Sequence, residues 1–240
     1  VSQSHSHSTG LFEHQIRQWG ASFDAVVAHR RSVRAFLGTP VTPELLRHVL
    51  TVAQGAPSNC DAQPWYVHIV SGAARDRLSK ALLADMDAGR FTPDWPFDGK
   101  HYTGVHAERR VEQGKLYFDA LGIARGDVEG RRTSTRRNLE FFGAPHVAML
   151  FLPDFAQMRD ASDLGMYTET LMLALAAHGL ASCPQTLLGL YAQTIRDELG
   201  IASDQKLLYG LSFGYPDTSA PAWNIRMPRA SLDEIVRFHE

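Results

Sequence analysis

The chain has 240 residues, with 24 Lys+Arg against 26 Asp+Glu and a formal net charge of −2. At 44% hydrophobic and 21% charged it has the composition of a globular protein with its own core, which excludes bulk disorder. The balanced charge argues against a general nucleic-acid binder, whose phosphate affinity needs clustered basic residues.

Val1 to Gly10 is rich in Ser and His and lacks an apolar stretch of the kind a secretory signal carries. It is expected to be a disordered tail, with His5 and His7 part of it rather than metal ligands. Leu11 to Ala28 follows with Phe12, Ile16, Trp19, Phe23, Val26 and Val27 near helical spacing. Thr42-Pro43-Glu44 opens the next helix with an N-cap, a first-turn proline and an acid at the positive end of the dipole. Tyr66 to Val70 reads as a strand and Ala73 to Asp87 as a helix.

Residues 89–105 have no helical or strand period, and they carry Phe91, Trp95, Phe97 and Tyr102. Large aromatics in a long irregular stretch suggest a lid or a partner contact. Phe91 and Trp95 are the candidate substrate contacts, within a lid-like insertion around 89–140. Glu108 to Leu121 is helical again, and Arg131, Arg132, Arg136 and Arg137 suggest a solvated basic face. His146 to Leu152 is a buried strand, and Asp163 to His178 a helix that is apolar nearly all round. Lys206 to Phe213 is a further strand. Helices alternate with a few strands, so the fold class is α+β or α/β in a single domain over 11–240.

Cys60 and Cys183 lie far apart without metal-ligand spacing, so no metal site is implied and both are expected to be reduced, buried thiols. No long uncharged apolar run is present, which argues against a membrane span and leaves the cytoplasm as the default compartment. Gly210-Leu211-Ser212-Phe213-Gly214 matches the nucleophile elbow of hydrolases. That motif needs a helix after the serine, and here Tyr215-Pro216-Asp217 follows. A strand ending in a glycine turn explains the five residues. No Rossmann fingerprint and no P-loop is present, so side chains would have to hold any phosphate.

His29-Arg30-Arg31-Ser32-Val33-Arg34 offers such side chains, because a guanidinium fork grips phosphate oxygens and a serine adds a short bond. In an extended segment Arg30, Ser32 and Arg34 would face one way, and Arg31 and Val33 the other. The same residues also suit a basic helix terminus opposing the macrodipole. Three further segments are suggestive. Ala56 to Trp65 is a polar loop pinned by prolines. Ser182-Cys183-Pro184-Gln185-Thr186 leads into a short helix. Arg226-Met227-Pro228-Arg229 precedes the helix start at Ser231.

In this order the four segments resemble the FMN-dependent nitroreductase family, from about Phe23 to Phe238. Leu208 to Asp217 is similar to that family's penultimate strand and turn. The resemblance implies an α+β three-layer sandwich, a central mostly antiparallel sheet flanked by helices, in an intertwined homodimer. It implies FMN held by Arg30, Arg31, Ser32 and Arg34, with Arg30 and Ser32 toward the phosphate and Arg34 toward the N1/O2 edge of the ring. Pro57, Ser58 and Asn59 would come from the other subunit. Pro184, Gln185 and Thr186 would line the ring, and Arg226 and Arg229 would finish the phosphate site. Helix 163–178 would lie in the dimer core. Asp61 departs from the pattern, since many relatives carry Asn there.

The implied function is NAD(P)H-dependent reduction of nitroaromatic compounds to nitroso and hydroxylamine products by a ping-pong cycle. NAD(P)H is the co-substrate and a small aromatic electron acceptor the partner. The flavin N5 takes the hydride, Arg34 assists electrostatically, and no protein nucleophile is needed. The same site would also serve reductive dehalogenation or quinone and flavin reduction. Iodotyrosine deiodinase resembles the chain at Arg30 to Arg34, and a flavin-destroying dimethylbenzimidazole synthase is a further relative. A flavin-binding module without turnover is the reading from outside the enzymes.

Overall fold

The computed structural model describes residues 4–240, with side chains from Gln15 onward. The first helix, α1, runs Ser4–His29, so its first turns fall within the segment expected as a tail. Residues 1–3 and the side chains of His5 and His7 lie outside the described residues.

The other helices are α2 (Pro43–Ala53), α3 (Gly72–Ala88), α4 (Gly104–Ala120), α5 (Val128–Leu139), α6 (Met158–Ala177), α7 (Ala192–Leu199) and α8 (Leu232–Ile235). The Thr42 hydroxyl caps α2 as the sequence suggests, accepting from the Leu45 N–H at 3.3 Å. Helix α4 begins inside the stretch expected to be irregular, and α6 begins before Asp163. Both start where spacing is a poor guide, since a first helical turn carries few buried positions.

Four strands form one antiparallel sheet, ordered β1 (Tyr66–Ser71), β2 (His146–Pro153), β4 (Gln205–Gly214), β3 (Ala181–Gln185). The spacing of residues 182–186 suggests only the approach to a short helix and no strand; the short length of β3 and Pro184 hide the strand signal. The sheet is the middle of three layers. On central strand β2, Val147, Met149 and Phe151 enter one core with Leu78 and Leu82 of α3, Leu139 of α5 and Ile195 of α7. Ala148, Leu150 and Leu152 enter the other with Val49 of α2 and Leu164, Leu171 and Leu175 of α6. Alternation along a strand buried on both faces produces this division. A bulge opposite Leu150 and Phe151 shifts β4, so Leu207 joins the first core while Leu211 and Phe213 join the second.

Helix α6 is less uniform than expected. Buried Asp163 accepts from the Asn59 N–H at 3.0 Å, and buried Thr168 accepts from the Tyr209 hydroxyl at 2.8 Å. Beyond β3, residues 32–37 run along the sheet edge. The Val33 N–H donates to the Ser182 carbonyl at 3.0 Å, and the Leu37 N–H to that of Tyr215 at 2.9 Å. Both readings of the arginine run hold in part: His29 ends α1 and the Arg30 N–H donates to the Val26 carbonyl at 2.9 Å, while the chain is extended from Ser32 onward.

The elbow-like motif has a packing explanation. Ser212 lies fully buried in β4 and donates to the Gln185 carboxamide oxygen. A Cβ on Gly210 would run into the Leu188 side chain, and one on Gly214 would lie 2.7 Å from the Pro145 Cδ.

Candidate functional site

A cleft of about 850 Å³ opens beside the 30–34 segment. Arg30, Arg31, Ser32 and Arg34 line it together with Arg226 and Arg229 from the C-terminal part of the chain. Two segments far apart in sequence thus form one cationic wall. The expected alternation fails at Arg31, which reaches the same cleft as Arg30, Ser32 and Arg34. Val33 keeps to the pattern and is buried.

The arginines are held in different ways. The Arg31 guanidinium carbon sits 3.7 Å from the centre of the Trp223 ring, and that of Arg34 sits 4.8 Å from the centre of the Tyr117 ring. The Arg30 Nε lies 3.3 Å from a Glu169 carboxylate oxygen. Among the described residues, Arg226 and Arg229 donate only to backbone carbonyls of their own segment. Among the described residues no carboxylate forms a salt bridge with Arg31, Arg34, Arg226 or Arg229. Burial, and then the neighbouring Arg226 cation, lower the Arg31 pKa from its ordinary value. Its Nη2 is buried without a hydrogen-bond partner among the described residues. Such a donor set fits a phosphate monoester, whose charge and acceptor oxygens would satisfy guanidinium groups that the chain leaves free.

The α4 face also lines the cleft, with Glu108, Arg109, Glu112, Gln113 and Tyr117. The Arg109 Nη2 donates to a Glu234 carboxylate oxygen at 2.8 Å, joining α4 to α8. The α4 residues and Trp223 are absent from the site read from sequence. The only signal for them is the i, i+4 spacing of Glu108 and Glu112, which equally marks a solvated face.

The remaining candidates lie elsewhere in the single chain. Pro184 and Thr186 are exposed at the end of β3. Gln185 is 3% exposed; its Nε2 donates to the Asn138 carbonyl at 2.8 Å, so its carboxamide braces the core. Pro57, Ser58 and Asn59 stand on the loop between α2 and β1. There the Ser58 hydroxyl accepts from the Gln63 N–H at 2.9 Å. Cys60, Asp61 and Gln63 all take positive φ, at 52°, 55° and 46°, a conformation that non-glycine residues adopt at a cost. Cys60 is exposed, contrary to expectation, while Cys183 is buried and both are free thiols. Burial pushes the Cys183 thiol up to about 11, and the Arg34 cation opposes that shift.

The aromatic segment is anchored away from the cleft. The Thr92 N–H donates to the Leu190 carbonyl at 2.8 Å, and Asp94 forms a buried ion pair with Arg196 while accepting from the Leu207 N–H. Trp95 packs against the second core, and exposed Phe91 lies 5.6 Å from the Tyr191 ring. The basic cluster is only partly a solvated face. Arg132 and Arg136 pair with Asp87, Arg131 stacks on Phe118, and Arg137 donates to the Arg34 carbonyl at 3.1 Å. No described helix is long and apolar enough to cross a membrane, and the described residues hold no cluster suited to a metal ion.

The sequence model of the nitroreductase family matches residues 27–215. Nitroreductase NfnB of Mycolicibacterium smegmatis is 48% identical over 215 residues, spanning 90% of this chain and 92% of its own length. A 4-nitrobenzoate reductase of Pseudomonas putida is 34% identical, over 90% of this chain and 95% of its own. The crystal structure of the FMN-dependent nitroreductase NfnB from Mycobacterium smegmatis in complex with NADPH superposes with a TM-score of 0.90 at 46% identity. It covers 92% of this chain and all of that one.

Proposed function

The chain belongs to the nitroreductase family, and on that premise we propose that it is an FMN-dependent oxidoreductase that reduces nitroaromatic compounds with NADPH. The observation that carries the assignment to this cleft is the wall of Arg31, Arg34, Arg226 and Arg229 without carboxylate partners. When bound, FMN supplies the two-electron, hydride-accepting chemistry that no side chain here offers.

The residues of the cleft would divide the remaining work. Arg226, Arg229, Arg30 and Ser32 would hold the phosphate, and Arg31 adds a donor whose Nη2 has no partner among the described residues. Arg34 presents a fixed cation where negative charge accumulates on the reduced ring, a stabilisation that is strong in a dry site. Pro57, Ser58 and Asn59 do not line their own chain's cleft, and we assign them to the cleft of a second subunit. Pro184 and Thr186, with the Gln185 backbone, flank the ring. Phe91 remains the candidate acceptor contact, reached through the partner subunit, whereas Trp95 packs against the second core of its own chain.

A homodimer suits the surface of this chain. Ile16, Trp19, Phe23 and Val27 form an exposed apolar stripe on α1, and Leu232, Ile235 and Phe238 are exposed near the C-terminus. Apolar faces of this extent in water mark an interaction surface. We put the work in the cytoplasm, where NADPH is regenerated.

The test is direct. Purified protein reconstituted with flavin is expected to be yellow and dimeric, to release FMN on heating, and to oxidise NADPH faster when a nitroarene is added. Recovery of FAD, or NADPH oxidation indifferent to the nitroarene, would overturn the assignment.

A further inference from the structure

We infer that Tyr117 is a positioning residue for this reaction: its ring is the platform that fixes the Arg34 guanidinium in the cleft. The inference rests on the FMN-dependent reading of the cleft and names a part of its machinery that sits on α4.

Arg34 has no carboxylate to hold it among the described residues, yet it must be fixed to act. A long side chain free to rotate spreads its charge over many positions, and electrostatic assistance depends on a charge already in place. Two contacts fix it here. Its carbonyl accepts from Arg137 at 3.1 Å, which ties down the backbone. Its guanidinium carbon lies 4.8 Å from the Tyr117 ring centre, within the range of a cation over an aromatic face. The ring itself is only 8% exposed, so it is a rigid surface rather than a mobile flap. Burial also removes competing water and strengthens the attraction. An aromatic face suits this duty better than a carboxylate would. It orients the cation without neutralising it, so the charge stays available to a ligand.

The hydroxyl of Tyr117 is buried without a partner among the described residues. An unsatisfied buried hydroxyl adds nothing to stability, so the ring, and not the hydroxyl, is the part this role requires. Phenylalanine should therefore replace tyrosine here, and an aliphatic side chain should not.

The experiment uses the FMN-loaded protein and three variants, Tyr117→Leu, Tyr117→Phe and Arg34→Ala, with the double variant Arg34→Ala/Tyr117→Leu. Flavin reduction by NADPH is followed by stopped flow, and FMN content and flavin midpoint potential are measured alongside. Tyr117→Leu is expected to retain FMN, to reduce about tenfold more slowly, and to show a lower potential. Tyr117→Phe restores both rate and potential. The double variant is no slower than Arg34→Ala alone, because the ring acts through that arginine.

A Tyr117→Leu protein that reduces at the wild-type rate overturns the proposal, as do losses that multiply in the double variant. A Tyr117→Phe protein as slow as Tyr117→Leu overturns it too, by assigning the role to the hydroxyl. If Tyr117→Leu does not fold, Arg34→Lys carries the same test. It keeps the charge and loses the flat stacked fork, and a wild-type rate there overturns the proposal. A wild-type protein that binds no FMN refutes the functional reading itself, an outcome distinct from all of these.

Discussion

The Arg31 guanidinium carbon lies over the Trp223 ring, 3.7 Å from its centre, and so joins the segment after α1 to the C-terminal part of the chain. Neither residue has meaning as a pair in the sequence. Together they form one corner of the cationic wall. Trp223→Leu removes the stacking surface and leaves Arg31 free to swing toward solvent. A partly buried cation over an indole contributes about 1–2 kcal/mol. The expected result is an FMN dissociation constant raised about tenfold, read by flavin fluorescence during titration. An unchanged constant would show that Arg31 is held by other means.

Arg34 and Arg229 are expected to fail differently. Arg34→Ala should slow flavin reduction by about 10²–10³ while FMN stays bound, the size seen when one donor at a developing anion is lost. Arg229→Ala should release FMN and leave the reduction rate of the remaining holoenzyme near normal. Stopped-flow reduction and flavin content measured on the same samples separate the two.

His146 gives a pH dependence of stability. Its Nε2 accepts from the Val41 N–H at 2.9 Å, which places the proton on Nδ1, 2.5 Å from the Ser71 hydroxyl oxygen. The ring is therefore locked in the neutral form, and burial lowers its pKa from the ordinary value of 6.5. The unfolded chain then binds a proton that the folded chain refuses. The stabilisation is complete above 6.5 and is lost as pH falls below it through the folded pKa. Melting temperature should decline from pH 7.5 to 5.0 in the wild type and decline less in His146→Gln. Parallel curves for the two proteins would remove His146 from the account.

The Asp94–Arg196 pair is the anchor of the aromatic segment. Both side chains are 8% exposed, and removing one partner strands a buried charge. Arg196→Met should destabilise the protein by about 3–5 kcal/mol. Limited proteolysis should then cut within 89–98 before it cuts elsewhere. A wild-type melting temperature with no new cleavage would show that the segment is held by other contacts.

Phe91 and Trp95 are expected to separate. Trp95→Ala should act as a core truncation and lower stability by about 3 kcal/mol, since the partly buried indole packs against the second core. Phe91→Ala, at an exposed ring, should leave stability within about 0.5 kcal/mol and change the ranking of nitroarenes by kcat/KM in an intact dimer. The same ranking before and after would place Phe91 outside the acceptor site.

Where the evidence for an element is local, the sequence was enough. Thr42-Pro43-Glu44 announces α2 because a cap, a first-turn proline and an acid act over a single turn. Residues 147–152 announce a central strand because every position is apolar and buried. Arg30 to Arg34 stand out by density of charge alone. In contrast β3 was hidden. Its five residues hold Pro184, and its place in the sheet comes from pairing with β4, a distant segment.

The sequence by itself determined the class of the fold, the arginine run and its likeness to an FMN-dependent family. Each of these is carried by neighbouring residues, whose spacing survives in one dimension. Only the tertiary structure decided which arginines share a cleft, that Tyr117 and Trp223 lie beneath two of them, and that Gln185 faces the core. Those relations depend on packing between elements far apart in the chain. The sheet that brings β3 against residues 32 and 33 also folds the C-terminal arginines over them, and no local pattern encodes that approach.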